Sequence, residues 1–210
     1  MQRTQILLLG SVILALLLLL SGIRPFDRTT WLLEIFPILL VLPVLWTSYR
    51  RFPLSNLLYI CIFLHAIVLM TGGAYSYARV PLGFDIADLL NLSRNPYDKI
   101  GHFFQGFVPA LVTREILLRG QHVRGKRALA ILSVCVALAI SASYELVEWA
   151  AAVALDQGAD EFLGTQGDPW DTQSDMLFAL IGANVAMLFF ARMQDCQLAR
   201  MAAPVQGRGQ

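Results

Sequence analysis

The stretch NPYDKIGHFFQGF, residues 95–107, puts Asp98, Lys99, His102 and Gln105 at the mouth of an apolar run that continues to Leu118. Asp98 and His102 are four apart, so on a helix they share a face, and Gln105 continues it. A second stretch, SASYELVEW, offers Glu145 and Glu148, three apart, on a face with Ser141 and Tyr144. A third, GDPWDTQSDML, offers Asp171 and Asp175, four apart, behind the Asp168–Pro169 turn. One imidazole among several carboxylates suits Zn, Mn or Mg better than a soft metal. His102, Glu145, Asp171 and Asp175 are therefore the candidate ligands of a divalent metal ion, which would activate water or polarise a phosphoryl oxygen. Without a metal, His102 is the candidate general base, oriented by Asp98 or by one of the glutamates, Glu145 or Glu148. No serine nucleophile motif accompanies it, and no spacing matches a metalloprotease HExxH or a P-loop.

The elements that must position these groups are membrane helices. Of 210 residues, 57% are hydrophobic and 15% charged, where a soluble domain carries about 25% charged residues. The apolar residues come in long blocks, and a span needs about 20 of them. Six blocks qualify, at residues 6–23, 31–47, 54–71, 99–118, 128–152 and 172–192. The pattern predicts an all-α, polytopic membrane bundle of about six transmembrane helices, a single domain over residues 1–200 with 201–210 a disordered tail. The first block has a basic start but no small-x-small cleavage site after it, so it reads as a retained helix. The second carries Pro37 and Pro43, which lipid-embedded helices tolerate. Between the third and fourth blocks, DIADLLNL reads as a short helix on the membrane surface. The connection 155–175 is acidic and rich in turn residues.

Basic residues gather on the cytoplasmic side of a membrane. The turn RGQHVRGKR, Arg50 with Arg51, Arg3 and the arginines of the tail all fall on one side of the predicted topology, and most of the acids on the other. Both termini are thus expected in the cytoplasm, with the His and carboxylate groups at the outer face. The net charge of +1 conceals this layout and implies no nucleic-acid partner. The expected partners are membrane lipids and a lipid-linked substrate. Cys61, Cys135 and Cys196 make neither a disulfide framework nor a Cys-rich metal site.

Each polar group also has a structural role open to it. Asp98 and Asp171 suit helix N-termini. Glu145 and Glu148 suit pairing with Lys99 or Arg94. His65, mid-span, suits an interhelical hydrogen bond, and Gly182 and Asn184 suit close helix packing. Arg114 and Glu115 suit snorkelling or a local pair.

Taken together, YDKIGHFFQGF, SASYELVEW and GTQGDPWDTQSDML resemble the YjdF-type family of bacterial inner-membrane proteins, over nearly the whole chain. A looser similarity, in the DK-x-x-H helix and the late Asp-bearing helix followed by glycine, is to VanZ-like membrane proteins. The resemblance implies a small multi-pass protein of the bacterial inner membrane and supplies no reaction. The residues leave two main readings: a membrane-embedded, metal-assisted enzyme acting on a lipid-linked or phosphorylated substrate, or a non-catalytic scaffold or accessory protein. A small transporter ranks below both, because the polar groups sit at one face and no inverted repeat is visible.

Overall fold

The computed structural model describes residues 2–155 and 166–202. Most of the expected acidic connection, and the expected tail beyond Ala202, lie outside the described residues. Regular structure among the described residues is entirely helical. The helices are α1 (Arg3–Ser21), α2 (Arg28–Ser48), α3 (Asn56–Tyr75), α4 (Pro81–Leu90), α5 (Tyr97–Arg119), α6 (Lys126–Leu155) and α7 (Asp171–Ala202). Five of them, α1, α2, α3, α6 and α7, are long and apolar enough to cross a membrane. Their outward faces are apolar, as at Leu19, Leu20, Val44, Leu188 and Phe189, which is what a lipid solvent selects.

α5 has the length of a span, 23 residues, and carries Asp98, Lys99, Arg114, Glu115 and Arg119. These charges would be costly against lipid, but α5 does not face lipid. It packs against α3, α6 and α7 at the centre of the bundle, and Lys99, His102, Arg114 and Glu115 are buried. The bundle is thus of about six spanning helices, with the most polar one enclosed by the rest. α4 is the short helix expected from DIADLLNL. It opens with proline at its first turn, a position where the missing N–H costs nothing, and exposes Leu82, Phe84, Leu89 and Leu90.

Glycine sets the closest approach, between α5 and α7. A Cβ on Gly106 would run into the carbonyl of Ala179, and one on Gly182 into the carbonyl of Phe103. Small residues at such crossings let backbones touch. Gln194 lies nineteen residues after Asp175, which at about 100° per residue would leave it roughly 100° off the face of Asp175. A π-helical turn at Ala186–Phe190 absorbs one residue of that drift. Gln194 is thereby buried on the same side as Asp171, Asp175, Ala179, Ala183 and Ala186, and Phe190 meets Phe107 edge-on at 4.9 Å.

At the end of the bundle that holds the basic turns, Arg114 and Glu115 do not snorkel. Arg114 donates to Gln194 Oε1 at 3.0 Å and to Asp195 Oδ1 at 2.6 Å. Glu115, fully buried, accepts from the Ser55 N–H, from Gln194 and from Arg119. Ser55 is the N-cap of α3, so a carboxylate of α5 meets the free N–H groups and positive dipole end of α3. Gln197 completes that cap through the Leu57 N–H at 2.9 Å. The polar groups leave lipid by bonding one another, which removes the reason to reach for water.

Candidate functional site

At the opposite end, α2, α5, α6 and α7 bring polar groups to one recessed place. α5 enters there with no side-chain cap, so Asp98 is free to turn inward rather than bind its own helix end. Asp98 Oδ1 lies 3.4 Å from His102 Nε2, the four-residue spacing read from the sequence. From α7, Asp175 Oδ1 lies 3.7 Å from the same nitrogen. From α6, Glu145 Oε1 lies 3.6 Å from His102 Nδ1. The other contact of Nδ1 is Gln105 Oε1 at 2.7 Å. An amide oxygen only accepts, so Nδ1 carries a proton and Nε2 is the atom turned toward the two aspartates. A bare lone pair there would face two anionic oxygens, so Nε2 holds a proton or shares a cation with them.

Lys99 is the hub of the ion pairs. Its Nζ lies 2.7 Å from Asp171 Oδ1, 2.6 Å from Asp175 Oδ1 and 3.5 Å from Asp98 Oδ2. Arg94 reaches Asp168 at 2.7 Å and Asp171 at 3.0 Å. Asp168 also accepts from the Trp170 N–H at 2.9 Å, so it terminates the turn before α7 as its place before Pro169 suggested. Lys99 therefore goes to the aspartates and not to the glutamates.

Of the four metal-ligand candidates, His102 and Asp175 come together, Glu145 approaches from the other side of the imidazole, and Asp171 is held by the two cations. Among the described residues, Asp98, His102 and Asp175 have donor atoms within 4.8 Å of one another. Ligand atoms about 2 Å from a tetrahedral ion stand about 3.4 Å apart, close to the 3.4 and 3.7 Å found around Nε2. Glu145 is 9% exposed, and its Oε1 is buried with no hydrogen bond. A buried acceptor without a partner is costly unless something comes to it. Glu148 is half-buried one turn on, within electrostatic range of Glu34, His102 and Glu145.

Two participants, Glu34 and Tyr77, escaped the sequence reading, and a third, Lys99, has other partners than expected. Glu34 of α2 is 8% exposed, and the Tyr144 hydroxyl lies 3.5 Å from its Oε2 while donating to the Leu33 carbonyl at 2.9 Å. As the lone acid of its apolar block, Glu34 carried a usable signal. Lys99 was expected at a helix start or in a pair with glutamate. Tyr77, between α3 and α4, slots its ring against Gly72 and Gly101, where a Cβ on Gly101 would come within 2.8 Å of it. Burial, and after it the Glu34 carboxylate, push the Tyr77 hydroxyl well above the ordinary phenol range, so it stays protonated. His65 does not make the expected interhelical bond: its Nε2 is buried without a partner, and its ring stacks on Phe104 at 6.0 Å.

Beside this cluster an open-sided cavity of about 520 Å³ runs between α4, α5 and α7. Leu90, Ile100, Phe103 and Phe178 line its body, and Arg94 and Lys99 stand in its wall. Lys99 thus belongs to both the ion-pair network and the apolar cavity.

Residues 6–196 match the model of a family described as "Predicted membrane protein (DUF2238)". The chain is similar to the inner membrane protein YjdF of Escherichia coli (strain K12), with 59% identity over 191 residues and 91% of each chain covered. No solved structure matches the chain.

Proposed function

The chain belongs to the DUF2238 family of predicted membrane proteins, and from that premise we propose that this integral inner-membrane protein is a metal-assisted enzyme acting on a phosphorylated, lipid-linked substrate at the outer face. The observation that carries the reading is the joint position of Lys99. Its ammonium contacts Asp171 and Asp175 beside His102, while its side chain lines the apolar cavity. A substrate with an apolar tail in the cavity would present its head group to Lys99 and Arg94, the two cations suited to phosphate. Asp98, His102 Nε2 and Asp175 would hold a divalent ion at that head group, and the Glu145 carboxylate, whose Oε1 has no hydrogen bond, would take a proton from the water that attacks phosphorus and return it to the alcohol that leaves as the P–O bond breaks. Both termini then lie in the cytoplasm with the basic turns.

The test uses the full chain in nanodiscs, supplied with single-chain prenyl or alkyl phosphates of graded length and one of Zn, Mn or Mg. The expected result is release of inorganic phosphate that needs the divalent ion and falls by about 100-fold or more in His102→Ala and Glu145→Gln, the usual scale of a lost acid–base group. Metal-independent release, or release unchanged in His102→Ala, contradicts the reading. The ion pairs of Lys99 favour a second reading, a non-catalytic scaffold whose charges serve only to hold α5 to α7. It predicts no release in any condition and loss of stability alone on substitution.

A further inference from the structure

A second groove lies on the other side of the molecule, far along the chain from His102. α1, α2 and α3 close over one half of their length, where Leu14, Ile35, Ile38, Ala66 and Met70 form a buried cluster. Over the other half, toward Arg3, they part. Two hydrogen bonds tie α1 to α2, Trp31 Nε1 to Ser21 Oγ at 3.0 Å near one end and Thr4 Oγ1 with Tyr49 Oη at 3.3 Å near the other. Between them opens a groove of about 700 Å³. Leu14, Leu42 and Phe63 close its deep end, Gly10 lies in its wall, and Arg3, Tyr49 and Tyr59 form its rim. From Arg3 to Leu14 the helix rises about 16 Å, roughly half the thickness of a bilayer's hydrocarbon core. The groove therefore spans one leaflet and stops at the midplane.

The rim has one sign of charge. Arg3 lies over the Tyr59 ring at 5.5 Å and gives one guanidinium N–H to the Leu54 carbonyl, while its Nε is buried with no partner. Arg50 and Arg51, both exposed, follow Tyr49, and no acid occurs between Tyr49 and Asn56. We infer that this groove is a binding site for one anionic glycerophospholipid of the leaflet on the basic side, with an acyl chain along Gly10 and Leu14 and its phosphate on Arg3. The length of the groove matches one acyl chain, and the guanidinium at its cationic rim matches a phosphate. A zwitterionic lipid would fill the same apolar body but brings no net charge to the rim.

Native mass spectrometry of the full chain, delipidated in detergent and then given phosphatidylglycerol or phosphatidylcholine of matched chains, tests this. The expected result is a single bound phosphatidylglycerol, retained about fivefold better than phosphatidylcholine, the preference that one basic residue at an anionic head group supplies. Arg3→Gln is expected to abolish that preference. Gly10→Leu, which keeps Arg3 but fills the groove from α1, is expected to remove the bound lipid of either kind. There is room for the substitution at the backbone, since a Cβ on Gly10 comes no nearer than 3.9 Å to Phe63. Equal retention of the two lipids by the unsubstituted chain overturns the inference, as does a phosphatidylglycerol adduct that survives Gly10→Leu. Because the readout is lipid retention, its outcome is independent of whether the His102 site is catalytic.

Discussion

Lys99→Met is expected to lower the stability of the detergent-solubilised protein by about 3–5 kcal/mol, the cost of breaking a buried ion pair from one side. Lys99 is 9% exposed and its Nζ contacts three carboxylates, those of Asp98, Asp171 and Asp175. Methionine has nearly the same length and fills the space, so the loss is electrostatic: carboxylates recessed among α5 and α7 are left without their ammonium. Thermal unfolding measures it. Adding Asp171→Asn and Asp175→Asn to Lys99→Met should recover much of the loss, because the two carboxylates nearest the lost ammonium are then neutral and Asp98 still faces His102. An unchanged transition in Lys99→Met would mean that water, and not Lys99, neutralises these groups. The triple variant also separates the two functional readings. As an enzyme it is folded and inactive; as a scaffold it is folded and indistinguishable from the unsubstituted chain in any cellular assay.

The second large effect is expected at the crossing of α5 and α7. Gly106→Leu drives a side chain into the Ala179 carbonyl. Overpacking a core usually costs about 1–3 kcal/mol, and more where the obstacle is backbone and no rotamer avoids it. The helices must separate, which pulls Asp175 from His102 and Lys99 together, so stability and site are lost in one step. Gly182→Leu meets the Phe103 carbonyl from the other helix and is expected to behave alike. Gly10→Ala, whose Cβ would meet Phe63 at an ordinary van der Waals distance of 3.9 Å, is the control and should unfold within about 0.5 kcal/mol of the unsubstituted chain. Unfolding transitions of the four proteins decide the matter; a Gly106→Leu chain as stable as Gly10→Ala would show that α5 and α7 are not in backbone contact.

The bundle was legible because lipid imposes a long, uniform apolar pattern that survives without any knowledge of packing. α5 was the hardest helix to read for the same reason: it is a span whose neighbours, not lipid, surround it, so hydropathy describes the wrong solvent. The pairs Asp98–His102 and Asp171–Asp175 were legible because a helix fixes the relation of residues four apart. Which pair member meets which partner across helices was not, since that depends on the rotation of one helix against another. Asp98 rather than Asp171 closes on His102, and Lys99 takes Asp171, through a register that Gly106 and Gly182 set. The π-helical turn at Ala186–Phe190 has no local signature in AMLFF, yet Gln194 reaches Arg114 and Glu115 because of it. Glu34 could have been found as an acid alone in an apolar block. Tyr77 could not, because a short turn beyond the end of α3 carries no period.

The divalent-ion site proposed at Asp98, His102 and Asp175 underlies the functional assignment. Its most direct test is elemental analysis of the full chain, purified from membranes without chelators and re-equilibrated with Zn, Mn or Mg, alongside His102→Ala and Asp175→Asn. The expected content is about one ion per chain, absent from both variants while their unfolding remains cooperative. No ion above the buffer level in the unsubstituted chain, or the same content in the variants, would contradict it.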